Sequence, residues 1–238
     1  QVRAGEGEAA VGTLNRAIEY GLFLTLPAAV ALIVSAYPVM WTLFGRGAFS
    51  PESARLSAQA LAAYALGLPA FVLVKVLAPG FFARGDTATP VKVGVAAVAL
   101  NLALNVAFMV PLQQIGPALA TSLAAIFNVC GLGVMLARHG LLRTDAQLRR
   151  RAPRMLLASG AMGLALWATQ RALFAVPPHG GARIEALAVL VGVGLVSYAV
   201  AAVVFGAGDW RAMARMMGRG RRRGRVTIAP SADIAPRP

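Results

Sequence analysis

The sequence predicts an all-α integral membrane protein with six transmembrane helices, and three observations carry that prediction. Hydrophobic residues fill 58% of the 238 positions and charged residues only 13%, whereas about 25% of a soluble domain is charged. Apolar windows of the ~20 residues needed to cross a bilayer core can be placed six times, at about Tyr20 to Phe44, Ala58 to Phe82, Val91 to Val110, Ile115 to Ala137, Met155 to Val176 and Ile184 to Phe205. The connecting segments alternate between basic and almost charge-free.

That alternation sets the expected orientation. One set of segments holds Arg3, Arg16, Arg84, Lys92, Arg138, Arg143, Arg149, Arg150, Arg151, Arg154 and eight arginines from Arg211 to Arg237, eighteen in all; the other holds Arg46, Arg55, Arg171 and Arg183, which is four. Basic loops stay on the cytoplasmic side, so both ends are expected there. The formal charge of +14 therefore reads as topology, with the tail Arg219 to Arg225 touching anionic lipid headgroups. Nucleic acid is excluded as a partner, because the tail has no interleaved aromatics and no reader domain.

The elements follow in order. Positions 1-15 are a polar cytoplasmic approach without a signal-peptide pattern; the chain starts at Gln1 rather than Met, which reads as the C-terminal part of a longer protein. Positions 16-137 hold four spans. The first contains Pro27 and Pro38, the second Gly67, Pro69, Pro79 and Gly80. Such breakers survive in a bilayer where neighbouring helices or water satisfy the freed backbone groups. Ser50-Pro51-Glu52 reads as a cap, a first-turn proline and a dipole-favoured acid opening the second span. In the fourth span the small residues Gly116 to Ser122 favour close packing, and Cys130 is expected to be a buried, inert thiol. Positions 138-154 are an amphipathic cytoplasmic linker with a capping box at Thr144-Asp145-Ala146-Gln147. Positions 155-206 carry two C-terminal spans. Positions 207-238 are a basic, partly disordered cytoplasmic tail that opens on a short interfacial helix around Trp210 and Met213.

The polar inventory within the spans is short. The nine acids, including Glu19, Asp86 and Asp145, avoid the span centres, and His139 and His179 lie in loops. No catalytic constellation and no definite metal site can be assembled, so an enzyme is not expected. Lys75, two turns before the end of the second span, either snorkels to the headgroups or faces a water-filled cavity. Asn101 and Asn105 share one helix face. They either hydrogen-bond to a neighbour such as Thr121 or Asn128, or lend oxygens to a cation.

The stretch Lys75-Val-Leu-Ala-Pro79-Gly80-Phe-Phe-Ala-Arg84-Gly-Asp86-Thr-Ala-Thr89-Pro90-Val91 resembles the signature of the MurJ/MviN lipid II flippases of bacterial peptidoglycan synthesis. Leu26-Pro-Ala-Ala-Val-Ala31 upstream and Asn101-Leu-Ala-Leu-Asn105 downstream agree with it. The resemblance implies the C-terminal part of a fourteen-helix, two-lobe flippase in the bacterial inner membrane, partnered by its own N-terminal part. The implied activity is outward flipping of lipid II by alternating access. Lys75 and Arg84 are then substrate-binding candidates facing the lipid pyrophosphate. Asn101, Asn105 and Thr121 are candidates for a monovalent cation site, with no other cofactor. Pro79 and Gly80 end one helix, and Asp86, Thr89 and Pro90 build the turn into the next. Related flippases also place a groove for the lipid tail along the last two helices. The alternatives are a polysaccharide-unit flippase or multidrug exporter of the same superfamily, a polyprenyl-phosphate transferase, which would need aspartate-rich magnesium loops, and a membrane scaffold.

Overall fold

The computed structural model describes residues 2–140, 142, 145–173 and 182–207. The segment from residue 208 onward, with the basic tail and the interfacial helix expected around Trp210, lies outside them, as do Thr144 and His179. Among the described residues the chain is helical throughout: α1 (Val2–Phe44), α2 (Pro51–Leu66), α3 (Leu68–Phe82), α4 (Ala88–Leu112), α5 (Ile115–Arg138), α6 (Ala146–Leu173) and α7 (Ala182–Val204).

The helices neighbour one another as a row. α4 packs on α5, α5 on α2 and α3, those two on α1, α1 on α6, and α6 on α7, with α7 reaching back to α1. Small residues make these contacts close. The buried face of α5 is Gly116, Ala118, Ala120, Ser122, Ala124 and Ala125 before it changes to Leu132 and Leu136. Cys130 stands away from that face and is exposed, which corrects the buried position expected for it. At the edge of the row, α4 buries only Ala97. Its Val95, Val98, Leu102 and Val106 are exposed, as an apolar helix surrounded by acyl chains or by further helices must be.

Five helical stretches are long and apolar enough to cross a membrane by length and composition alone: Val11–Phe44, Pro51–Phe82, Ala88–Leu112, Ile115–Arg138 and Ala182–Val204. α6 falls short of that measure because it opens on Arg149, Arg150, Arg151 and Arg154 and closes on Gln170 and Arg171. Its contacts nonetheless follow α1 toward the end at Gly45, with Met162 and Leu166 packing on Val30, Ala31 and Val34. At one end Arg151 of α6 pairs with Glu19 of α1. At the opposite end Arg183, at the start of α7, donates to Gly45 O at 2.8 Å and lies over the Trp41 ring, beside the last turn of α1. The 28 residues of α6 span about 42 Å at 1.5 Å per residue, enough for one crossing plus its charged ends. The amphipathic linker expected over 138-154 is thus not a separate headgroup helix. From Ala146 onward it forms the first turns of α6, capped by Asp145, whose Oδ1 accepts from Leu148 N at 2.7 Å. Likewise α1 extends back through the stretch expected as a polar approach.

One helix start and one turn show how local chemistry fixes the path. Ser50 Oγ accepts from Ser53 N at 3.1 Å with Pro51 in the first turn, as its sequence predicts. The α4–α5 turn is less relaxed: Gln113 sits at φ 47°, ψ −126°, a region that glycine alone enters freely. Replacing Gln113 by Gly is expected to raise stability by about 1 kcal/mol, the relief of strain exceeding the added backbone entropy of glycine. Equilibrium unfolding in mixed micelles reads this directly, and a loss of stability would show the turn to be unstrained.

Candidate functional site

The residues singled out by sequence gather at two places, the α3–α4 turn and the α4–α5 contact. The turn is built by α3 and Gly85. Helix α3 does not stop at Pro79-Gly80, as the resemblance implies; both residues are inside it, and it runs on to Phe82, where the apolar window of the second span ends. Pro79 is tolerated because the helix forgoes only the one bond its missing N–H would make to Lys75 O, whereas the reversal itself needs a left-handed residue, supplied by Gly85 at φ +74°. Around Gly85, Asp86 N donates to Phe81 O at 3.2 Å and Gly85 N to Phe82 O at 3.0 Å, the paired bonds that close a helix on a glycine. Asp86 Oδ1 then accepts from Thr89 N at 3.0 Å, which caps α4, and Pro90 occupies its first turn, where a missing N–H costs nothing. Hydrogen bonds from Thr89 hold the Asp86 carboxyl below the usual carboxylate range. The cap is therefore formed at neutral pH and is lost only as acid carries the pH down through that lowered value.

Lys75 and Pro79 are both exposed, one turn apart on α3. The opposite faces of this helix are taken up by α1 and α5. The ammonium thus points off the unit, toward whatever covers this face. Arg84 is exposed in the turn itself.

At the α4–α5 contact, Asn101 Nδ2 donates to Thr121 Oγ1 at 3.2 Å. Asn105 Nδ2 donates to both Asn101 O and Asn101 Oδ1 at 2.9 Å, and Thr121 Oγ1 donates to Pro117 O at 2.8 Å. Asn128 does not join them, and its Oδ1 has no hydrogen-bond partner. The set is neutral and its members satisfy one another. No group of three or more His, Cys, Asp or Glu able to hold a metal stands among the described residues. The hydrogen bonds present here are those of an interhelical latch between α4 and α5. In the full-length protein Asn105→Ala is expected to cost about 0.6–1 kcal/mol, equally in sodium and in choline. A larger loss in sodium would show that another helix completes a cation site.

Sequence reasoning missed a third cluster, on α1 at the level of Arg16 and Glu19, well away from Gly45. Glu19, with its side chain 4% exposed, pairs with both Arg16 and Arg151. Arg16 also pairs with Asp145, and Gln147 Nε2 reaches Glu19 at 3.4 Å. The one legible signal was Arg16 and Glu19 at i, i+3. The partners on α6 lie more than 120 residues away and no spacing announces them.

Two apolar grooves run along the last helices. One, of about 640 Å³, lies on α7 and touches Ala161 of α6, with Val193, Val196 and Val200 in its wall. The other, of about 400 Å³, lies among α1, α6 and α7, with Pro27, Ala31, Leu166, Leu187 and Tyr198 in its wall.

Charge-capped helix ends, proline-broken spans and apolar outer faces define a multi-pass α-helical membrane unit. The family model described as Lipid II flippase MurJ matches residues 1–177. A probable lipid II flippase MurJ of Rhizobium meliloti (strain 1021) is 40% identical over 210 residues, covering 87% of this chain and 39% of that protein. The corresponding protein of Vibrio cholerae is 33% identical over 195 residues, covering 82% and 37%. Among solved structures, a lipid II flippase MurJ in an inward closed conformation superposes with a TM-score of 0.68 at 24% identity, over 83% of this chain and 39% of that one. The chain belongs to the lipid II flippase MurJ family. It spans about two fifths of the length of these relatives.

Proposed function

We propose that this chain is the C-terminal part of a flippase that carries lipid II outward across the bacterial inner membrane by alternating access, and that it acts as a transporter and not an enzyme. The observation that carries the reading is the family match over residues 1–177, which includes the whole Lys75 to Val91 stretch. In this reading the end of the row with Arg16, Arg84 and Arg151 is cytoplasmic and the end with Gly45 and Arg183 faces outward, as the eighteen-to-four division of basic residues favours. Lys75 and Arg84 offer cations to the pyrophosphate from the exposed side of α3 and its turn. The apolar grooves along α7 hold the polyprenyl tail in the bilayer while the headgroup crosses. Arginines of the tail meet anionic lipid headgroups, and the remaining helices of the protein supply the facing lobe.

The test is replacement. The full-length protein should sustain growth of a bacterium depleted of its own lipid II flippase and restore the outward exposure of lipid II. Accumulation of inward-facing lipid II despite normal membrane insertion would sink the reading.

A further inference from the structure

Two proline breaks in this unit leave backbone carbonyls short of a donor, and in both a hydroxyl from a neighbouring helix fills the place. In α1, Pro27 has no N–H to give to the carbonyl four residues back, Phe23 O. Tyr198 of α7 donates its hydroxyl to that oxygen at 2.7 Å, its ring resting 5.3 Å from the Phe23 ring. In the second span, Pro69 has no N–H for Ala65 O, and the helix steps out just before it, at Gly67 between α2 and α3. There the Gly67 N–H turns to Tyr64 O at 3.0 Å, away from the Ala63 O an unbroken helix would use. Ser122 of α5, fully buried, donates to Ala63 O at 2.6 Å and approaches Tyr64 O at 3.3 Å. The fit is close: a Cβ on Gly67 would stand 2.7 Å from Ser122 Oγ and 2.9 Å from Ser122 Cα.

The placements give these bonds consequences. The Gly67 break divides the stretch Pro51–Phe82 near its middle, and Lys75 lies two turns beyond it, so the bend sets where the ammonium points. Ser122 follows Thr121, which bonds to Asn101 of α4; one turn of α5 thus grips α4 on one side and the α2–α3 bend on the other. Tyr198 and Pro27 both line the groove among α1, α6 and α7, so the bond between α7 and α1 sets the width of that groove.

We propose that Ser122 and Tyr198 are positioning residues of the transport cycle: each hydroxyl props a proline-interrupted helix from its neighbour, so that the course of α1 at Pro27 and of α2–α3 at Gly67 is held by α7 and α5. An ordinary packing residue would leave that course intact when its hydroxyl is removed. A prop has a distinguishing property, because it becomes redundant when the proline is replaced and the helix closes its own bonds: Pro27→Ala returns a donor to Phe23 O directly, while Pro69→Ala returns one to Ala65 O and lets the helix close through Gly67, whose N–H then reaches Ala63 O. For its effect on flipping the proposal rests on the transport reading; for the course of the helices it does not.

The experiment is a pair of double-mutant cycles in the full-length protein, Ser122→Ala with Pro69→Ala and Tyr198→Phe with Pro27→Ala. Distances between spin labels at the exposed positions Arg55 and Phe82 report the course of α2–α3, and labels at Tyr20 and Leu43 report that of α1. Each hydroxyl deletion is expected to broaden or lengthen its own distance distribution and to lower the folded-to-unfolded ratio about threefold to tenfold. In the proline-free background the same deletion should change neither. Unchanged distances after Ser122→Ala and Tyr198→Phe, or equal effects with and without the prolines, would overturn the proposal. Failure of the unsubstituted protein to replace a depleted flippase would instead count against the transport reading and leave the cycles interpretable.

Discussion

Glu19→Ala is expected to destabilise the folded protein by about 2–3 kcal/mol, the largest stability effect of any single charge in this unit. Glu19 is nearly sealed, and it answers two guanidinium groups, Arg16 on its own helix and Arg151 on α6. Removing one member of a buried ion pair leaves the opposite charge desolvated, at a cost of about 3–5 kcal/mol. The estimate here is lower because Arg16 and Arg151 keep side-chain exposures of 30% and 21% and can turn toward water once released. Arg16→Ala is expected to cost less, since Arg151 and Gln147 still serve the carboxylate. Glu19→Ala with Arg151→Leu should recover part of the loss, because the double variant leaves one fewer cation without a partner. Reversible unfolding in mixed micelles measures all of these. If Glu19→Ala falls within 0.5 kcal/mol of the parent (about the scatter of surface substitutions), the cluster does not anchor α6.

How much of this was legible in the sequence differs from feature to feature, and the physics explains the difference. The spans were legible because apolar length is a property of consecutive residues, and the caps at Ser50 and Asp86 because they act within three residues. Asn101, Asn105 and Thr121 could be paired in advance, since a tight hairpin between α4 and α5 brings their registers together. Glu19 was hidden because its partners depend on how α6 returns to α1. The end of α3 was placed at Phe82 by the apolar window and earlier, at Pro79-Gly80, by the resemblance; the window was right. Pro79-Gly80 has the composition of a break, but inside a bilayer a helix is the cheapest way to satisfy the backbone, so it continues until Gly85 can adopt its positive φ. The linker joined α6 for the same reason: with Asp145 capping it and Arg151 tied to Glu19, the helix gains more by continuing than by lying apart on the headgroups.

On the proposed transport function, Lys75→Ala in the full-length protein is expected to lower lipid II flipping about tenfold or more while leaving folding unchanged. A charge at this depth in a span costs several kcal/mol unless it meets water, an anion or the membrane surface. Lys75 makes no ion pair among the described residues. It stands on the face of α3 that neither α1 nor α5 covers, so no contact within this unit accounts for it. A charge-assisted hydrogen bond to a phosphate oxygen is worth about 1.5–3 kcal/mol, and tenfold corresponds to about 1.4 kcal/mol. Lys75→Arg is expected to keep most activity, because the site asks chiefly for positive charge, whereas Lys75→Glu should abolish it by repelling the pyrophosphate. The bend at Gly67 enters the same account: if Ser122 holds that bend, Ser122→Ala should reduce flipping in the presence of Lys75 and change little once Lys75 is already Ala. Normal lipid II turnover and normal growth with Lys75→Ala as the sole copy would assign the side chain to the headgroup region as a snorkelling anchor, and the electrostatic route to the pyrophosphate would then fall to Arg84 alone.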